Sequence, residues 1–451
     1  MNNRTIIAGS VVILVLITFL GRYPLARYYY NKGLENRESE LFSESLDNFS
    51  RAVRLNSGFL EARFEEALGH AILGDDDTAI QLFSKITGMD NQYAKAFFYR
   101  GESYSVTGKY ELSIEDFTRS AELGYEPALS YTNRGVASQK LNQYERALGD
   151  FTKAIETDPA LGRAWFHRGV LKANLGDFAG AVDDYNMAIE YDGENPELYR
   201  LRGTTMASLD NFIDAIDDYN RVIELGDGSA GLYKQRGIFK RRISDYDGAI
   251  NDLSLALQYD QDDAEIWYHR GTAYASSGQL ENAMDDLDRS IGADGTNPLA
   301  YMNRGLVWLR RGRAREAGAD LGRSVELDDT NPQAYYLLGT ARAMNGDYQG
   351  SISDFSVAIA LDSSHAMAYF NRGISKGILG IHEEAISDFD LSLRLQPDNP
   401  GAYLQRAVSR INLNDMEGGC EDLRTALEAG MADAEPMLNM YCSGRDNVIV
   451  R

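Results

Sequence analysis

The sequence predicts an all-α solenoid of about twelve helical hairpins preceded by one transmembrane helix, and three observations carry that expectation. An Arg-Gly pair recurs at multiples of 34 residues, from Arg100-Gly101 to Arg372-Gly373. Inside that frame, small, aromatic and apolar residues return at helical spacing. Ahead of it, the segment from Thr5 to Gly21 carries no charge and is bracketed by Arg4 and Arg22.

Residues 1–4 form an N-terminal tail. Residues 5–21 would span roughly 26 Å as a helix, near the lower limit for crossing a bilayer. A cleaved secretory signal is the rival reading, but Phe19-Leu20-Gly21 and Pro24-Leu25-Ala26 make poor small-x-small cleavage sites. Tyr23, Tyr28, Tyr29 and Tyr30 come next, where an interfacial aromatic belt would sit. The count of basic residues after the span, Arg22, Arg27, Lys32 and Arg37, favours a cytoplasmic array. The short tail before it instead suits an anchor that exports the array, so the expectation is single-pass membrane localisation with the side open.

Twelve units of 34 residues run from 26 to 433 without an insertion. Numbering each unit so that the Gly of Arg-Gly is position 8, position 4 is aromatic in eleven units, with Arg63 the exception. Positions 8 and 20 are small throughout, which lets two antiparallel helices approach closely, and position 24 is Phe, Tyr or Leu. Gly74, Gly108, Gly176, Gly278, Gly312, Gly346 and Gly380 stand at position 15, where a left-handed residue ends a helix, and Pro159 and Pro397 stop second helices. Residues 434–442 read as a short capping helix and 443–451 as a tail.

These landmarks closely resemble the tetratricopeptide repeat (TPR) family, and the resemblance extends to bacterial single-span, membrane-anchored members. It implies an α-solenoid wound as a right-handed superhelix, with the first helix of each hairpin lining a concave groove. Position 6 faces that groove in the family and here holds Asn133, His167, Gln235, His269, Asn303, Asn371 and Gln405. Side chains that donate and accept at once can bond an extended peptide backbone without reading its sequence; a merely solvated polar row is the alternative. Position 5 adds Phe98, Phe166, Tyr268, Tyr336 and Phe370, as aromatic groove surface or as packing between repeats.

Arg at position 7 in nine units and Asp at position 23 in ten suggest a ladder of exposed inter-helix pairs, each worth about 0–1 kcal/mol. Two basic islands could receive an acidic partner: Lys240, Arg241 and Arg242, and then Arg310, Arg311, Arg313 and Arg315. Cys420 and Cys442 fall on the last hairpin and the cap. They are either a disulfide, which would mark an oxidising compartment, or two buried thiols.

A formal net charge of -23 argues against nucleic acid as a partner. The five histidines are scattered over different repeats, and no nucleophile-base spacing, phosphate loop or metal motif is present, so neither an enzyme nor a cofactor is expected. The expected function is a membrane-anchored scaffold or adaptor that binds a protein partner or extended peptide. A permanent structural subunit of a large membrane or envelope complex is the alternative, since fold does not specify function.

Overall fold

The computed structural model describes residues 22–193 and 195–442. Among the described residues every regular element is a helix, and the chain divides into two compact halves meeting at Asp227 and Gly228. The first half contains α1 (22–38), α2 (Phe42–Leu55), α3 (Leu60–Ile72), α4 (Asp76–Met89), α5 (Ala94–Val106), α6 (Tyr110–Glu122), α7 (Pro127–Lys140), α8 (Tyr144–Thr157), α9 (Gly162–Asn174), α10 (Phe178–Tyr191), α11 (Pro196–Ser208) and α12 (Phe212–Glu224). The second contains α13 (Ala230–Arg242), α14 (Tyr246–Tyr259), α15 (Ala264–Ser276), α16 (Leu280–Ala293), α17 (Pro298–Arg310), α18 (Ala314–Leu327), α19 (Pro332–Met344), α20 (Tyr348–Leu361), α21 (Ala366–Ile378), α22 (His382–Leu395), α23 (Pro400–Asn412), α24 (Met416–Glu428) and α25 (Ala434–Tyr441). Each hairpin pairs an odd-numbered helix with the even-numbered one after it, and within each half successive hairpins stack.

Turn chemistry explains why the frame never slips. The residue at position 15 has a positive φ in all twelve repeats, including the non-glycine Glu40, Asn142, Asp210, Ser244 and Asn414. The left-handed turn is therefore a property of the hairpin geometry, and glycine is only its least strained occupant. At position 16, Asp75, Asp177, Asp245, Asp347 and Asp415 accept a backbone N–H from position 19 and cap the second helix.

Close helix approach sits at positions 8, 20 and 24. A Cβ on Gly135 would lie 2.6 Å from the Phe151 ring, and the position-20 hydroxyls of Ser45 and Ser113 donate to the position-8 carbonyls of Gly33 and Gly101 at 2.8 Å. Gly135→Ala should lower stability in urea denaturation by about 1 kcal/mol, the low end of overpacking costs, because Ala67 and Ala407 occupy the same place in two repeats. A loss above roughly 3 kcal/mol would mean the ring cannot shift at all.

The Arg-Asp ladder departs from the expectation of exposed pairs. Arg134 grips both Asp150 oxygens, and Arg168 both of Asp184, at 2.5–3.0 Å, with the aspartates buried. The same guanidinium reaches back 16 residues into the preceding repeat, Arg134 to Thr118 and Arg168 to Thr152. It also lies over the position-4 ring, 4.9 Å from Trp165 for Arg168. One arginine thus ties its own hairpin to its predecessor, a geometry that exposed pairs would not need.

At the C-terminal end α25 packs on Leu404, Ala407 and Leu423, and Cys420 and Cys442 are joined with an S–S distance of 2.02 Å. The expected span 5–21, the tail 1–4 and the tail 443–451 lie outside the described residues, among which no helix is long and apolar enough to cross a membrane.

Candidate functional site

Two clefts, one in each half, are built from equivalent repeat positions. One, of about 570 Å³, lies between α7 and α9 and is lined by Val136, Gln139, Lys140, His167, Val170 and Asn174. The other, of about 380 Å³, lies between α21 and α23 and is lined by Ile374, Gly377, Ile378, Gln405, Val408 and Asn412. Both sets fall at positions 9, 12 and 13 of one repeat and 6, 9 and 13 of the next. Antiparallel hairpins put the same positions of consecutive first helices side by side, so the crevice is a product of the repeat. Position 6 lines it in both cases, with an imidazole in one and a carboxamide in the other.

The position-6 row is not uniform. Asn133 is only 8% exposed and lies beside the Glu102 carboxylate, whose pKa is raised chiefly by burial and is opposed by Arg163 and Asn133. His167 stacks on Phe151 at 5.9 Å, accepts from Arg163 at 3.4 Å, and is pushed down to about 4, first by burial and then by Arg163. It is therefore neutral near pH 7. His269 is likewise held at about 4 by burial and then Arg241. Asn303 donates to the Leu299 carbonyl at 2.8 Å and to the Tyr268 hydroxyl at 3.5 Å, and Asn371 donates to the Tyr336 hydroxyl at 3.2 Å. Gln235 is half-buried, and Gln405 lines its cleft.

The position-5 aromatics are mostly pillars between helices. Phe98 is 3% exposed between the Phe117 and Tyr125 rings, which takes the packing alternative and leaves it no groove surface: edge-to-face contacts inside its own and the following turn use the whole ring. Tyr336 packs on His365 and Phe355, and Phe370 on Phe389, while Phe166 and Tyr268 are half-buried. Tyr268 and Tyr336 each carry a hydroxyl that meets the asparagine of the next repeat, a link along the first-helix face that residue types alone did not announce.

The basic islands are also smaller than the sequence suggests. Lys240 pairs with buried Asp252 at 2.9 Å, Arg310 donates to the Ala275 carbonyl at 2.6 Å, Arg311 reaches Glu281 at 3.3 Å and Arg313 pairs with Glu316. Arg242 and Arg315 are exposed and Arg241 is half-buried. Residue types alone did not show that a cation at position 11 is a second partner of the ladder aspartate. Lys172, Lys240, Lys376 and Arg410 all play this part, at 2.9 Å from Asp184, Asp252, Asp388 and Asp422. Helical spacing of four residues from position 7 was the available signal. Among the described residues no group of His, Cys, Asp and Glu is arranged to hold a metal ion.

Family profiles described as tetratricopeptide repeat match residues 132–196, 336–400 and 264–297, and one described as TPR repeat matches 241–277. No protein of curated function matches the chain. Similar solved structures include the APC/C hetero-tetramer Cut9-Hcn1, at 14% identity over 94% of this chain and 99% of that one, with a TM-score of 0.45. Yeast Tom70 aligns at 13% identity over 92% and 94%, TM-score 0.39. YrrB, described as a TPR protein with an unusual peptide-binding site, aligns at 23% identity over 41% and 95%, TM-score 0.37.

Proposed function

We propose, for a chain that belongs to the tetratricopeptide-repeat family, that it is a protein-interaction adaptor whose first-helix face holds an extended peptide segment of a partner, with residues 5–21 anchoring it in a membrane. The observation that carries this reading is the recurrence of one cleft, built from the same repeat positions, in both halves. An extended chain advances about 3.3 Å per residue and offers a donor and an acceptor at each step. Carboxamides and neutral imidazoles at position 6 can meet both, and Val170 or Ile374 and Val408 supply apolar wall for side chains.

The test is to extract the tagged protein from its native membrane in mild detergent and measure the stoichiometry of the proteins that stay bound. Substoichiometric partners lost with Val408→Arg and His167→Ala are the expected result. Partners in fixed integer ratio that survive both substitutions and a salt wash would overturn groove binding. They would favour the second reading, a permanent structural subunit, for which an exposed row at position 30 speaks: Met89, Tyr191, Tyr259, Leu361 and Leu395. For the anchor, carbonate-washed membranes should retain the full chain and release a chain lacking residues 1–21.

A further inference from the structure

We infer that the first-helix surface where α13 meets α15 binds the carboxylate of an aspartate or glutamate side chain on the partner peptide, with Arg241 as its principal ligand. This rests on the peptide-groove reading and names what one subsite of it recognises.

Lys240, Arg241 and Arg242 are consecutive on the last turn of α13, so helical geometry sends them about 100° apart. Lys240 turns to its own hairpin and pairs with Asp252. Arg242 stands in solvent. Arg241 lies half-buried, its buried Nε has no hydrogen-bond partner, and no carboxylate is within ion-pair distance of it among the described residues. This separates it from the ladder arginines, which are similarly sunk but each hold an aspartate.

Its neighbours on α15 do not neutralise it. Tyr268 presents a ring and a hydroxyl that accepts from Asn303, and His269, whose ring centre is 4.9 Å from that of Tyr268, is neutral because burial and then Arg241 depress its pKa. The nearest acid on that helix, Glu265, is paired with Lys234 at 2.8 Å. A half-buried cation with no anion beside it has given up hydration that no carboxylate of the chain replaces, and burial lowers its pKa accordingly. A ligand that brings an oxyanion makes good that loss on binding, and a planar guanidinium matches a carboxylate in fork geometry.

Position supports the assignment independently. Arg241 is at position 12 and His269 at position 6 of the following repeat. The same two places are Gln139 and His167 in the first cleft, and Gly377 and Gln405 in the second. The subsite therefore uses the same repeat positions as both clefts, with a cation at position 12 where they carry Gln139 and Gly377. With a net charge of -23 on the chain, an extended polyanion would be repelled at range, whereas a single carboxylate on a peptide is drawn in at contact.

To test this, the full-length protein is solubilised in detergent, held by a C-terminal tag, and panned with a random twelve-residue phage peptide library, in parallel with Arg241→Met. Wild type should enrich peptides with Asp or Glu at one fixed place, and the variant should enrich peptides without it. A fluorescein-labelled peptide from the enriched set should bind Arg241→Met roughly tenfold to a hundredfold more weakly. The peptide's own Glu→Gln change should cause a similar loss, and combining the two should add little. Arg241→Met should melt no lower than wild type, because it removes an unpaired charge. Enriched peptides whose acid can be replaced without loss, or that bind the variant equally, would overturn the carboxylate subsite while leaving groove binding intact. Tighter binding of a phosphoserine replacement would overturn the carboxylate in favour of a phosphoryl group. No enrichment with either protein would overturn the groove reading, and this inference with it.

Discussion

Replacing Arg202 by Met should destabilise the sixth repeat by about 3–5 kcal/mol, the cost of leaving a buried carboxylate without its cation. Arg202 donates through Nε and Nη2 to both oxygens of Asp218, at 2.9 and 2.6 Å, and through Nη1 to Asn186 of the preceding repeat at 2.6 Å. Asp218 is 4% exposed. The hydrogen bonds with Asp218 outweigh burial and raise the Arg202 pKa, so the guanidinium holds its charge firmly. Position 11 of this repeat is Met206, so no second cation is at hand. In the fifth repeat Lys172 would remain 2.9 Å from Asp184 after loss of Arg168, and Arg168→Met should therefore cost less. Because a solenoid couples mainly to nearest neighbours, the loss should appear in hydrogen exchange as early opening of α11 and α12, alongside a lower urea midpoint by circular dichroism. A loss below about 1 kcal/mol would show the pair to be worth no more than a surface one.

Asp354→Asn should do the opposite and raise stability above pH 6, by on the order of 2–3 kcal/mol. The tenth repeat has Leu338 where others have the ladder arginine, and Leu338 is buried against Leu321 and Leu337. Asp354 then keeps one bond, to Arg342 at 3.0 Å, and its Oδ2 has no partner. Burial raises its pKa to about 6, opposed by Arg342 and aided by Asp347. A carboxyl whose folded pKa exceeds its unfolded value favours folding while protonated and loses that advantage as pH rises. The penalty therefore develops between about pH 4 and 6 and is constant above. The asparagine variant removes it, so the gap between variant and wild-type melting temperatures should open across that window. The same change at Asp388, gripped at both oxygens by Arg372, should be destabilising at pH 7.5. If Asp354→Asn lost stability at pH 7.5 as well, Arg342 would be compensating the buried charge in full.

By itself the sequence determined the hairpin array. A 34-residue frame with small residues at positions 8 and 20, a large one at 24 and turn signals at 15 admits one local solution, and each repeat restates it. It also marked Leu338 as the break in the arginine series. What it could not determine was how each polar side chain is used, because one residue type at one position meets different neighbours in each repeat. Asn133 lies beside a glutamate that occurs at position 9 only once, Phe98 disappears into packing because Tyr125 lies in the turn beside it, and Lys240 is absorbed by Asp252 while Arg241, one residue on, is left alone. Burial of the ladder was likewise beyond residue types: Arg and Asp pair equally well at a surface, and only stacking of the next hairpin removes water from them. Periodicity is local and survives in the letters; isolation of a charge depends on contacts across repeats, and only the tertiary structure decides it.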